Sequence, residues 1–227
     1  MALREGVQAN GFAVLPASFS LEFVDRFLEE IQSLATPRTR AGVRHALRLG
    51  PVAALAGCPP LADIACDVLG SRAFPFRATL FDKSSISNRL VVWHQDTALP
   101  LRERKEVSGW GPWSVKEKID YAHAPAGVLS QVLALRIHLD DSSADNGPLR
   151  VLPRSHTLGV LTDESIHDLA VRITPVDCIA AKGGVVVMRP LLVHSSSKSR
   201  TESPRRVLHI EYAAADSIAA PLHLAIA

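Results

Sequence analysis

The sequence predicts a mainly β protein with flanking helices, folded as a double-stranded β-helix, the cupin-like jelly roll. Three observations predict it. Short apolar segments of strand character recur from residue 74 to residue 213, separated by turn-rich connections. Two amphipathic helical segments precede them and can cover the outer face of one sheet. The residues best suited to hold a metal, His94, Asp96 and His194, are distant in sequence, so a double-sheet barrel is the architecture that brings them together.

The first helix is expected over Phe19 to Ala35, where Leu21, Val24, Phe27, Leu28 and Ile31 recur at helical spacing behind Ser20, a good N-cap. The second lies in PPLADIACDVLG and stops at Gly70. This helical region, about residues 19–70, is expected to pack on the barrel. Strands are expected at 74–82, 90–96, 131–140, 149–152, 176–181, 185–194 and 205–213. Between the second and third lies a connection at about 97–130 that is longer than ordinary, and such segments are functional or disordered. Trp110, Trp113 and Tyr121 fall in it and argue for order. It reads either as a lid loop whose aromatics touch substrate or as an insertion packed on those aromatics. At 227 residues with 47% hydrophobic content, the chain suits one such domain over 1–227, and no repeat or linker divides it.

A net charge of +2 without a long basic run gives no reason to expect nucleic acid. No apolar run approaches membrane-spanning length, and MALREGVQANGF lacks the apolar core of a signal peptide. Cys58, Cys66 and Cys178 have no C-x-x-C spacing and read as small buried thiols of a reducing, cytoplasmic compartment. The oligomeric state stays open.

Two imidazoles and a carboxylate on one face of a metal form the facial triad of non-haem iron(II) oxygenases, with positions left for a co-substrate and O₂. In an extended strand alternate side chains share a face, so His94 and Asp96 of VVWHQD project together while Val91, Trp93 and Gln95 face away. His194 ends the apolar run of PLLVHSSS. Arg205 opens RRVLHIEYA, eleven residues on, and a hairpin returns it beside His194. Its planar fork suits a carboxylate, so the co-substrate is expected to carry one. Arg206 lies next door, but parity groups it with Leu208, Ile210 and Tyr212, and groups Arg205 with Val207, His209 and Glu211. If the apolar face meets the helices, Arg205 faces the cavity.

From about Arg77 to Tyr212 the chain resembles the phytanoyl-CoA dioxygenase family of Fe(II)/2-oxoglutarate oxygenases. The resemblance rests on HQD at 94–96, NGPLRVLPRSH at 146–156 and HSSSKSRTESPRR from His194. It implies that His94, Asp96 and His194 hold Fe(II), and that Arg205 and Ser196 bind the distal carboxylate of 2-oxoglutarate. It places Arg136 as another co-substrate contact, and Arg77 and Thr79, on one face of FRATLF, as weaker ones. The implied reaction consumes O₂ and 2-oxoglutarate, releases succinate and CO₂, and by default hydroxylates a small-molecule or lipid-like substrate. Asp96 fills the position that halogenating relatives leave vacant for chloride. Arg154 departs from the family's usual glycine, Gly184 from a frequent aspartate and Ser199 from a frequent asparagine. These bear on turn geometry and remove no ligand.

Two rivals remain: a cupin-like non-redox metal enzyme, which has no use for Arg205 and Ser196, and a catalytically silent binding protein on the same barrel. His138 shares a strand face with Arg136, while Asp140, Asp141 and His156 read as turn residues. Arg102, Arg104, Lys105, Lys116 and Lys118 hint at an anionic group on the substrate.

Overall fold

In the computed structural model the described residues are 2–34, 42–70, 72–83 and 88–227. Two antiparallel sheets face each other. The larger consists of β1 (Phe12–Leu15), β10 (Val185–Met188), β7 (Val132–His138), β12 (Arg205–Ala213) and β2 (Phe74–Lys83), in that order. The smaller runs β3 (Val91–His94), β11 (His194–Ser196), β8 (Leu149–Val151) and β9 (Val176–Cys178).

Strand parity explains the layers. Leu133, Leu135 and Ile137 of β7, Val185 and Val187 of β10, and Leu208, Ile210 and Tyr212 of β12 turn outward and pack on helices α1 (Leu3–Asn10), α2 (Leu21–Ser33), α3 (Gly50–Ala56) and α4 (Pro59–Leu69). Fully burying each such Leu or Ile contributes roughly 1.5–3 kcal/mol, which fixes the register of the large sheet. Tyr212 keeps its hydroxyl satisfied there by donating to the Ala56 carbonyl at 2.8 Å. The inward residues of the same strands include Ala134, Val186 and Met188, which meet Leu149, Val151 and Cys178 of the small sheet. Polar inward residues line the rest of the interior.

Ser20 caps α2 by accepting from the Phe23 amide at 3.2 Å, and Gly70 closes α4 in the left-handed conformation at φ 73°. The predicted end of the first helix, Ala35, lies outside the described residues. The expected strand at 185–194 divides in two: β10 belongs to the large sheet and β11 to the small one, with a turn through Pro190 closed by the Leu192 amide on the Arg189 carbonyl. Proline cannot donate to a ladder, which suits it to the crossing point.

The connection at 97–130 is a third sheet instead of a loop. It comprises β4 (Ala98–Leu101), β6 (Ile119–His123) and β5 (Trp113–Lys116), followed by α5 (Ala126–Leu129). Leu99, Leu101 and Ala122 bury against Phe76, Leu129, Ile218 and Leu222 in a core of their own. Helix α6 (Asp163–Arg172) packs on the outside of β3 through Ile166 and Trp93. Among the described residues no single helix is long and apolar enough to cross a membrane.

Candidate active site

His94 ends β3 directly opposite His194 of β11, and the amide of Asp96 is pinned to the Pro190 carbonyl at 2.9 Å. One ligand atom from each of His94, Asp96 and His194 falls within 4.8 Å of the others. Asp96 Oδ2 is 3.5 Å from His194 Nε2, and Asp96 Oδ1 is 3.9 Å from His94 Nε2. Both imidazoles are oriented by their own backbones. His94 Nδ1 lies 2.8 Å from the Val92 carbonyl and His194 Nδ1 2.9 Å from the Leu192 carbonyl. A carbonyl only accepts, so each Nδ1 carries the proton and each Nε2 turns a lone pair to the shared centre, as a metal ligand requires. Burial lowers the His194 pKa to about 4 against the opposing pull of Asp96, so its ring is neutral near pH 7. Burial alone would raise the Asp96 carboxyl, but His194, His94, His209 and Arg77 outweigh it and hold the group below the usual carboxylate range.

The strict alternation expected for 91–96 fails at one point. Between His94 and Val91 the β3–β11 register shifts, with two residues of β3 facing one of β11. This is a β-bulge, and it turns Val91 to the same side as His94, into the cavity. Gln95 faces away as expected, bonded to the Leu161 amide and to the Gly159 and Leu191 carbonyls.

From the triad a cavity of about 690 Å³, counted with its open mouth, runs to Arg205. Arg205 is only 4% exposed. Its Nε donates to the Asn146 carbonyl and its Nη2 to Ser196 Oγ, both at 3.3 Å, while Nη1 is buried with no partner among the described residues. Burial, with Arg136 adding to it, lowers the guanidinium pKa to about 10, which leaves it charged. Arg206 takes the other face and grips both oxygens of Asp140, at 2.7 and 2.8 Å. Arg136 reaches the cavity wall between Phe81 and His209, with Nη1 3.1 Å from His209 Nδ1 and Nε without a partner among the described residues.

Lys83 was missed by sequence reading. It is buried at the Arg205 end, donating to the Arg89 carbonyl at 3.0 Å, to Ser196 Oγ at 2.8 Å and to the Ser197 carbonyl. Burial, then Arg205 and Arg89, lowers its pKa to about 8. Ser196 accepts from both cations and gives its own proton to the Gly147 carbonyl at 2.8 Å. The available signal was parity: Lys83 lies four residues after Thr79 on the face of Phe81. The Gly147 turn admits no side chain, because a Cβ there would stand 2.3 Å from the Ser197 carbonyl oxygen.

Arg77 and Thr79 do not line this cavity. Arg77 is held in an ion pair with buried Glu211 and donates to the Ala98 carbonyl, so its charge is already matched; Thr79 sits opposite His209 in the β2–β12 register. Trp110 and Trp113 pack into the core of the third sheet, with Arg104 over Trp113, and do not line the cavity either. Tyr121 is buried beside Arg77 and Lys116 and pairs with His45 at 3.1 Å. His138 is fully buried without a hydrogen-bond partner for either ring nitrogen among the described residues, and burial with Arg136 and Arg205 lowers its pKa to about 3. Asp140 serves Arg206, and Arg154 takes φ 69°, a left-handed position of the kind glycine fills without strain.

A double-stranded β-helix with two imidazoles and one carboxylate converging at one end of a cavity and a buried, part-free guanidinium at the other is the architecture of the Fe(II)/2-oxoglutarate oxygenases. The donor set fits iron, and the orphan Nη1 fits a carboxylate of the co-substrate. The chain belongs to the phytanoyl-CoA dioxygenase family, whose sequence profile matches residues 7–207. It is 27% identical over 186 residues to L-proline trans-4-hydroxylase from Streptomyces griseoviridis, covering 70% of this chain and 62% of that relative. Among solved structures it is similar to AviO1 from Streptomyces viridochromogenes Tue57, with TM-score 0.68, 23% identity and 93% of each chain covered. It is also similar to EctD from S. alaskensis crystallised with 2-oxoglutarate and 5-hydroxyectoine, with TM-score 0.70, 24% identity and 93% and 74% of the two chains covered.

Proposed function

We propose that the protein is an Fe(II)/2-oxoglutarate-dependent oxygenase that hydroxylates a small molecule. The observation that carries this reading is Arg205, which lines a cavity shared with the His94, Asp96 and His194 cluster and whose buried Nη1 has no partner among the described residues. A non-redox cupin enzyme needs the three ligands but no carboxylate grip, and a silent binder needs neither. Family membership and the name of the proline hydroxylase relative support the same class.

When bound, iron with 2-oxoglutarate and O₂ supplies the oxidising chemistry, in which the co-substrate loses CO₂ to become succinate and one oxygen atom enters a substrate C–H bond. The chain's residues orient that chemistry. His94 and His194 present Nε2 to the shared centre because their Nδ1 atoms are committed to carbonyls, and Asp96 stays ionised to complete the set. Arg205 holds the distal carboxylate, Ser196 accepts from Arg205 and Lys83 together, and Arg136 extends the positive wall towards the metal. The third sheet packs its core on Phe76 of β2, Val132 of β7 and Ala213 of β12, at the ends of those strands away from Lys83, His138 and Arg205. Anaerobic addition of iron(II) and 2-oxoglutarate tests the reading: a weak visible charge-transfer band is expected, with succinate release on admitting O₂ and a substrate from a metabolite library. Absence of the band at saturating co-substrate overturns it.

A further inference from the structure

β12 sets His209 between Thr79 of β2 and Arg136 of β7, and sets Glu211, two residues on, opposite Arg77 of β2. Side chains directly opposite each other share a face of the sheet, and here that face is the barrel interior, so Arg77, Glu211, His209 and Arg136 follow one another across it. Arg77 grips both carboxylate oxygens of Glu211 and is tied to the Ala98 carbonyl of the third sheet at 2.7 Å. Glu211 Oε1 is 3.9 Å from His209 Nε2, and His209 Nδ1 is 3.1 Å from Arg136 Nη1. A guanidinium nitrogen only donates, so Nδ1 accepts and carries no proton. Burial, reinforced by the charge of Arg136, holds the His209 pKa well below its ordinary value. The ring is therefore neutral, and its one proton sits on Nε2, on the side of the Glu211 carboxylate.

Arg136 depends on that contact. It lines the cavity that runs to Arg205, and the bond to His209 is the one hydrogen bond its side chain makes among the described residues. Its guanidinium lies over the Phe81 ring at 5.3 Å, and the His209 ring meets the same phenyl edge-on at 5.8 Å. An aromatic face attracts a cation without fixing its rotation in the ring plane, whereas a hydrogen bond is directional. Among the described residues, His209 alone thus decides which N–H groups of Arg136 are spent inside the protein and which stay open to a ligand.

We infer that His209 is a positioning residue for co-substrate binding: as the Nε2–H tautomer beside the Arg77 and Glu211 pair, it takes Nη1 of Arg136 and leaves the other donors of that guanidinium to 2-oxoglutarate. The inference rests on the oxygenase reading, and its test separates the two. Whole protein is loaded with manganese(II), and 2-oxoglutarate affinity is measured by calorimetry in a double-mutant cycle of His209→Leu and Arg136→Met, with thermal melts of each variant. His209→Leu is expected to weaken binding on the order of tenfold, and Arg136→Met by at least as much. Adding His209→Leu to Arg136→Met is expected to change nothing further, because the histidine acts through the arginine. His209→Asn is expected to keep most of the affinity, since its Oδ1 can accept where Nδ1 did. If the leucine variant does not fold, His209→Gln, whose amide reaches past that position towards Glu211, replaces it in the cycle. The tautomer is read apart from binding, by nuclear magnetic resonance of isotope-labelled histidine nitrogens, where His209 is expected as Nε2–H at neutral pH. Wild-type affinity in His209→Leu, losses that multiply in the double variant, or a proton on Nδ1 each overturn the inference. If the wild type binds no 2-oxoglutarate, the oxygenase reading itself falls.

Discussion

Arg205→Met and Arg206→Met, compared side by side, separate two adjacent guanidiniums that β12 places on opposite faces. Arg205 spends two donors on long contacts of 3.3 Å and leaves Nη1 free, so a carboxylate can take Nη1 and displace the weak Ser196 contact at Nη2. A charge-assisted hydrogen bond is worth roughly 1.5–3 kcal/mol, so losing one weakens 2-oxoglutarate binding on the order of tenfold to more than a hundredfold, and losing two weakens it further. Arg206 holds both oxygens of Asp140, and that pair is about four-fifths shielded from solvent. Its loss should cost roughly 1–3 kcal/mol of stability, between the values for exposed and buried pairs, and leave co-substrate affinity alone. The assay is an anaerobic titration of the iron(II)-loaded protein followed at the charge-transfer band, with thermal melts in parallel. A larger affinity loss in Arg206→Met than in Arg205→Met refutes the face assignment.

His94→Ala, Asp96→Ala and His194→Ala should each lose iron on dialysis and 2-oxoglutarate turnover with it; full activity in purified His194→Ala removes the triad from the mechanism. Lys83→Met should weaken 2-oxoglutarate binding at neutral pH. Because the Lys83 pKa is lowered to about 8, wild-type affinity should also fall as pH rises through that value and the ammonium loses its proton, and the variant should lack this limb. Trp113→Ala should lower stability by roughly 1–3 kcal/mol through lost packing in the third sheet and leave 2-oxoglutarate affinity near wild type; loss of that affinity puts the tryptophan at the site after all. Arg154→Gly should raise the melting temperature by relieving a left-handed residue, a gain on the order of 1 kcal/mol; a lower melting temperature shows that the side chain earns its strained position.

What could be read from sequence was whatever long strands determine. β12 extends nine residues, and parity along it separated Arg205, His209 and Glu211 from Arg206, Leu208 and Ile210 as the packing does. Short strands carry too few positions for such a pattern. β4 and β5 have four residues each, and the charged run RERKEV between them reads as loop. Val91 was assigned to the wrong face because a bulge depends on the pairing partner, which sequence does not display. Arg77 looked available because its partner Glu211 lies 134 positions away. Lys83 escaped notice because one lysine at a strand end matches no motif; only the pairing of β2 with β12, which sets it opposite Arg205, and the approach of Ser196 from β11 bring it to the site.

The interior charges give the site its direction. Arg77 is neutralised by Glu211, but Lys83, Arg136 and Arg205 face the cavity without a carboxylate partner among the described residues. Burying such charges is costly unless their hydrogen bonds are met. Here carbonyls of Arg89, Ser197 and Asn146 and the ring nitrogen of His209 meet part of the need. What stays unmet is specific: Nη1 of Arg205 and Nε of Arg136. A neutral ligand supplies no compensating charge, and a monoanion at the metal leaves the Arg205 end unanswered. A dicarboxylate long enough to reach from Arg205 to the His94, Asp96 and His194 cluster answers both ends at once. The same pattern of unmet donors therefore fits a dicarboxylate co-substrate and supports the proposed direction in which it lies.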